Sequence, residues 1–166
     1  MLVKTRAGFT LLEMLVVLGI LGIFFALGIP MLRPPSSYLL ANDLKAMVQQ
    51  ARFEAIKRNT PVAVVWNSTT RTFVTRFDQT NTTFAAPGSA CTNTTPEGLL
   101  NTKRLDDYRN ISVTTNMSGN GVVWLPTGLN RSCGGGVGNS TTTIGDGSNS
   151  YNVVISVSGR VRIEKV

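Results

Sequence analysis

The sequence predicts an α+β protein: a long N-terminal α-helix, with a transmembrane half and an amphipathic half, packed on a C-terminal antiparallel β-sheet or sandwich head. Three observations predict it. Residues 9–32 are apolar apart from one charge, Glu13. Apolar residues then recur at three- and four-residue spacing at Leu40, Leu44, Met47, Val48, Ala51 and Ala55, the signature of a helix with one buried face. From about residue 60 the chain is rich in Ser, Thr, Asn and Gly, interrupted by short β-branched runs. With 166 residues, there is room for one ordinary domain and a long anchoring element, but not comfortably for two domains. The expected order is a basic leader at 1–8, a hydrophobic helix at 9–35, an amphipathic helix at 36–60 and a β-rich head at 61–166.

The hydrophobic stretch, as a helix, would be roughly 36 Å long at ~1.5 Å per residue, enough for a bilayer core of about 30 Å. Lys4 and Arg6 precede it without an acidic residue, which keeps the short N-terminus in the cytoplasm and exports the rest. A secretory signal peptide, cut near Ala26 or Gly28, and a plain single-span anchor are competing readings. Neither accounts for Glu13. A carboxylate inside an apolar span costs on the order of 2.5–3.5 kcal/mol and so normally has a partner. A cut between Gly8 and Phe9 would supply one, because the new α-amino group of Phe9 would be a cation four residues away. Among parallel packed helices, Glu13 of one subunit would pair with that amine on a neighbour and fix the stagger, as buried polar groups do in coiled coils. Pro30 then loosens the helix by removing a donor, and Pro34-Pro35 break the pattern again.

Ser36 or Ser37 is the expected cap of the amphipathic helix, and Asn59-Thr60-Pro61 its end. Runs at 62–66 and 72–77 flank Asn67-Ser68-Thr69-Thr70 and read as a hairpin. Further strands are expected at 111–115, 122–125, 151–157 and 160–164, with long loops at 79–98 and 131–150. Ser158-Gly159 reads as a two-residue turn between the last two strands.

The segment AGFTLLEMLVVLGILG, residues 7–22, resembles the prepilin signature of type IV pilin-like proteins. That resemblance implies cleavage after Gly8 by the inner-membrane prepilin peptidase, N-methylation of Phe9, and an assembly role for Glu13 toward other pilin subunits. Residues 41–65 and the late GRVRI at 159–163 resemble the GspH/FimT branch of minor pilins and pseudopilins. The matching points are Ala51-Arg52, Glu54-Ala55, Arg58-Asn59, Pro61-Val62 and the terminal Gly-Arg-x-Arg. The implied head has two antiparallel sheets on the second half of the helix. In FimT-like pilins of competent bacteria this C-terminal motif is associated with DNA uptake, which here points to Gly159, Arg160 and Arg162.

Composition narrows the chemistry. The chain has no histidine, so the commonest general base and metal ligand are both missing. Its two cysteines, Cys91 and Cys133, are too few for a thiolate metal site. In an exported head they read as a disulfide joining the two loop regions, with two unpaired thiols as the alternative. No nucleophile motif or carboxylate cluster supports an enzyme, Asp106-Asp107 being too weak alone. No cofactor is expected.

A net charge of +7 is compatible with a polyanion partner. On a strand at 160–164, Arg160 and Arg162 would face outward about 6.6–6.8 Å apart, close to the phosphate spacing of an extended nucleic-acid strand. Exposed arginines on an edge strand also serve simply to solubilise it, and Glu164 shares their face. Two readings follow. One is a minor type IV pilin that binds DNA without sequence preference; the other is a GspH-type pseudopilin of a type II secretion system, structural and without DNA binding.

Overall fold

The computed structural model describes residues 9–28, 34–78, 91, 98–136 and 139–166. Gly8, Pro30 and nearly all of the expected loop at 79–98 lie outside them. The chain divides into two units, Met1–Pro34 and Pro35–Val166.

In the first unit, helix α1 spans Leu11–Gly28 and is apolar around its whole circumference except at Glu13. At ~1.5 Å per residue its 18 residues give roughly 27 Å. Among the described residues no helix is long and apolar enough to cross a membrane. The transmembrane expectation over 9–35 extends into residues 29–33, which are not described.

The second unit holds the buried core. Helix α2, Ser36–Arg58, buries Leu40, Ala41, Leu44, Met47, Val48, Ala51 and Ala55 on one face, which includes every residue of the expected stripe. It ends at Asn59, in the left-handed region at φ 54. There the Thr60 N–H reaches back to the Ala55 carbonyl at 3.3 Å, a C-terminal closure that satisfies an otherwise orphaned acceptor. Pro61 cannot extend the helix.

Nine strands follow. They are β1 Val62–Asn67, β2 Thr72–Phe77, β3 Leu99–Arg104, β4 Ser112–Thr115, β5 Gly121–Trp124, β6 Asn130–Ser132, β7 Ser140–Gly145, β8 Ser150–Ile155 and β9 Val161–Lys165. They build a sheet of order β3-β2-β1-β5-β6 and another of order β4-β7-β8-β9, antiparallel at every pair. Helix α2 packs on both sheets. Its stripe shares one core with Val62, Val64, Phe73, Val122 and Trp124 of the first sheet and Ile144, Val153, Ile155 and Val161 of the second.

Four local expectations are corrected. The supposed loop at 131–150 contains β7, an interior strand paired on both sides. Thr142 and Ile144 are buried there while Thr141 and Thr143 are half-exposed. Threonine is β-branched and suits a pleated surface, so the period of two was hidden by low hydrophobicity. Strand β3 was also missed; none of its residues is fully buried.

Neither Ser36 nor Ser37 acts as the α2 cap, since the N-cap residue is Pro35 and makes no side-chain bond. The cap comes from Asp146, in the turn after β7. Its Oδ2 accepts the Ser37 hydroxyl at 2.7 Å and the Ser37 N–H at 3.4 Å. Finally, the β8–β9 turn has three residues rather than two. The Ser156 N–H bonds the Arg160 carbonyl at 2.9 Å, and the Gly159 N–H bonds the Ser156 carbonyl at 2.8 Å. Gly159 sits at φ +82, the left-handed position that such a turn needs.

Candidate functional site

The N-terminal residues form a simple arrangement. Thr10 starts α1, its Oγ1 accepting the Glu13 N–H at 3.2 Å and its carbonyl accepting the same N–H at 3.1 Å. Glu13 therefore lies in the first helical turn, where a carboxylate is favoured by the helix dipole. Phe9 is 78% exposed, and the large apolar residues of α1 from Leu11 to Phe25 are all exposed. A helix that is apolar all round is one destined for burial in a larger assembly or in lipid.

Cys91 and Cys133 are joined by a disulfide. Both are buried with Ala63 and Val123 in a small cluster of their own. Gly121 makes room for the bridge: a Cβ there would lie 2.7 Å from the Cys133 sulfur and 2.8 Å from the Val64 carbonyl oxygen.

The C-terminal motif splits into three different environments. Gly159 is buried against the Trp124 ring, where a Cβ would stand 2.8 Å from Cζ3 and 3.0 Å from Cη2. Packing and backbone conformation both require glycine there. Arg160 is exposed and is tied to the turn by its N–H, which donates to the Ser156 hydroxyl at 3.0 Å. Arg162 is exposed too, but its Nε pairs with Glu164 Oε1 at 2.8 Å. The acidic residue that shares the arginines' face therefore engages one of them.

What the structure places beside Arg160 is Arg52 of α2. Gln49, Arg52, Trp124, Ser158, Gly159, Arg160 and Val161 line one pocket of about 460 Å³. Arg52 lies over the Trp124 ring, 5.5 Å from its centroid, and its Nη1 donates to the Gly159 carbonyl at 3.4 Å. Sequence reasoning took Arg52 only as a point of family match. Its position at the border of the buried stripe was visible, three residues before Ala55 and four after Val48. Which turn it would face was not.

Other basic residues of the head stand in different surroundings. Lys103 pairs with Asp43 at 2.9 Å, and the hydrogen bond to that carboxylate raises its pKa. Burial works to raise the Asp43 carboxyl, yet hydrogen bonds from Tyr108 and Lys103 hold it below the usual range. Arg131 is half-buried with its Nε unpaired, and burial pushes its pKa down. Arg104 and Arg109 are exposed and line no part of the pocket. Among the described residues no group of His, Cys, Asp or Glu is placed to hold a metal ion.

An apolar helix with Glu13 in its first turn, and in the second unit a helix packed on two antiparallel sheets, define a pilin-like subunit. Residues 40–159 match the family of the type II transport protein GspH, and residues 3–29 match the prokaryotic N-terminal methylation motif. The chain belongs to the GspH family, whose members are minor pilins and pseudopilins of type IV pili and type II secretion, and not enzymes.

The pilin-like protein PilA1 of Thermus thermophilus is 51% identical over 57 residues, 33% of this chain and 36% of that protein. The match spans only about a third of that relative's length. The fold is similar to that of the minor pseudopilin EpsH from the type 2 secretion system of Vibrio cholerae. That comparison gives TM-score 0.53 at 12% identity and covers 78% of this chain and 97% of the other. It is also similar to the type IV minor pilin FimU of Pseudomonas aeruginosa. Here the TM-score is 0.52 at 16% identity, over 75% of this chain and 84% of the other.

Proposed function

We propose that the chain is a minor type IV pilin that binds DNA without sequence preference during its uptake. In this reading the prepilin peptidase cuts after Gly8, Phe9 is methylated, and the subunit waits in the inner membrane with its N-terminus in the cytoplasm. It then joins other pilin subunits through α1, where Glu13 meets a neighbour's terminal amine. The exposed surface of α1, apolar except at Glu13, supports the membrane and filament steps. The observation that carries the DNA reading is a pocket lined by two arginines, Arg52 and the exposed Arg160 of the Gly-Arg-x-Arg motif, and by no carboxylate. Guanidinium groups are suited to phosphate oxygens by charge and by their forked donors.

Gel retardation of DNA by the purified protein at low salt tests this reading. Retardation that weakens steeply as salt rises is expected; no retardation of any DNA at low salt would overturn it.

A second reading has its own support. The Arg162–Glu164 pair sets a carboxylate against one of the two motif arginines, and the family match is to a type II transport protein. A structural pseudopilin without a nucleic-acid role would show no retardation.

A further inference from the structure

We propose that Arg52 and Arg160 together clamp a phosphodiester of DNA in the cleft between α2 and the β8–β9 turn, and that Arg162 stands outside this contact. The inference rests on the DNA reading above and names the residues that carry it.

Arg52 is held in place before any ligand arrives. The indole face of Trp124 supports its guanidinium, and the Gly159 carbonyl takes one of its protons. A guanidinium offers five N–H donors, and this is the one hydrogen bond Arg52 makes among the described residues. The described ion pairs do not involve Arg52 or Arg160. A donor already fixed by its surroundings loses less conformational freedom on binding than a free surface arginine.

Arg160 reaches the same cleft from the turn, so two positive charges share one concave site open to solvent. Arg162 is the weaker candidate because it lies outside the pocket lining and the Glu164 carboxylate, 2.8 Å from its Nε, opposes an approaching phosphate. Arg160 belongs to the turn and Arg162 to β9, and their neighbours divide their roles. Gln49 at the rim adds a neutral donor and acceptor, and it is exposed.

The test is a salt titration of binding to a short labelled DNA duplex, using the full chain in a non-ionic detergent. Wild type is compared with Arg52→Gln, Arg160→Gln, Arg162→Gln and Gln49→Glu. Losing one phosphate contact should lower the slope of log affinity against log salt by about 0.9 in magnitude. That reduction is expected for Arg52→Gln and for Arg160→Gln, with Arg162→Gln keeping the wild-type slope. Gln49→Glu disturbs no core contact and places a carboxylate in the cleft, three residues from Arg52; it should weaken binding roughly tenfold at low salt.

A merely structural Arg52 would lower the folded fraction without changing the slope, so slope and melting midpoint are read together. If wild type binds while Arg52→Gln keeps the full slope, or Gln49→Glu binds as wild type does, the clamp is wrong and the DNA reading survives. If wild type does not bind, both fall.

Discussion

Asp146 caps α2 from 109 residues away, its carboxylate accepting both the hydroxyl and the N–H of Ser37. The other carboxylate oxygen takes the N–H groups of Ser148 and Asn149 at 3.1 and 2.8 Å. One side chain thus shapes the β7–β8 turn and anchors the first turn of the helix to the second sheet. Ser37, led by its hydroxyl, and the backbone donors hold the Asp146 carboxyl down to about 2, from 3.8.

A pH dependence follows. The folded value lies below the unfolded one, so the contribution of Asp146 is complete above about pH 4 and disappears as pH falls through 2. Asp146→Asn should lower stability at neutral pH by about 1 kcal/mol, the usual worth of a cap. It should also flatten the fall in stability between pH 4 and 2 relative to wild type. Urea denaturation followed by tryptophan fluorescence measures both, because both tryptophans, Trp66 and Trp124, lie in the head. An unchanged acid limb in the variant would show that the cap does not titrate as described.

Gly159→Ala meets two penalties at once. A left-handed backbone costs a residue with a side chain roughly 1–2 kcal/mol, and the new methyl would stand 2.8 Å from the Trp124 ring. Together they should destabilise the head by about 2–3 kcal/mol and shift the Trp124 emission, whereas Ser158→Ala in the same turn should be close to neutral. This makes the glycine of the Gly-Arg-x-Arg motif a packing residue of the turn that carries Arg160.

The disulfide has a separable contribution. Cys91 and Cys133 are 42 residues apart, and closing a loop of that size is worth about 4 kcal/mol in the chain-entropy model. Both sulfurs are also buried with Ala63 and Val123. Replacing both cysteines with serine should cost about 2–4 kcal/mol and put two hydroxyls into an apolar cluster. Denaturant midpoints with and without reductant should differ for wild type and coincide for the double variant.

How far these features were legible depended on how local their causes are. The α2 stripe was readable because period and burial are set within one helix, and Val62–Asn67 with Thr72–Phe77 because β-branched residues flank a short polar turn. Strand β7 was hidden because threonine fills the positions where valine would have announced it, and β3 because an edge strand needs no apolar face. The Asp146 cap and the presence of Arg52 and Arg160 in the lining of one pocket depend on which turn comes to rest against α2, a tertiary fact that no window of sequence carries. Cys91 and Cys133 fell between these cases: two cysteines admit one pairing, and only the question of bridge or free thiols was open.

Glu13 sets the last expectation, because its cost and its use can be separated. A carboxylate within an apolar segment is disfavoured by roughly 2.5–3.5 kcal/mol, and α1 places it in its first turn, beside the N–H groups held by Thr10. Removing the charge with Glu13→Gln should therefore make membrane insertion no harder. If the carboxylate pairs with a neighbouring subunit's amine at Phe9, the same change should abolish incorporation into filaments while cleavage at Gly8 continues. Processed subunit would then collect in the membrane fraction and be missing from sheared filaments. Incorporation at the wild-type level would mean that Glu13 makes no contact between subunits, and that the register of the packed helices is set by their apolar surfaces alone.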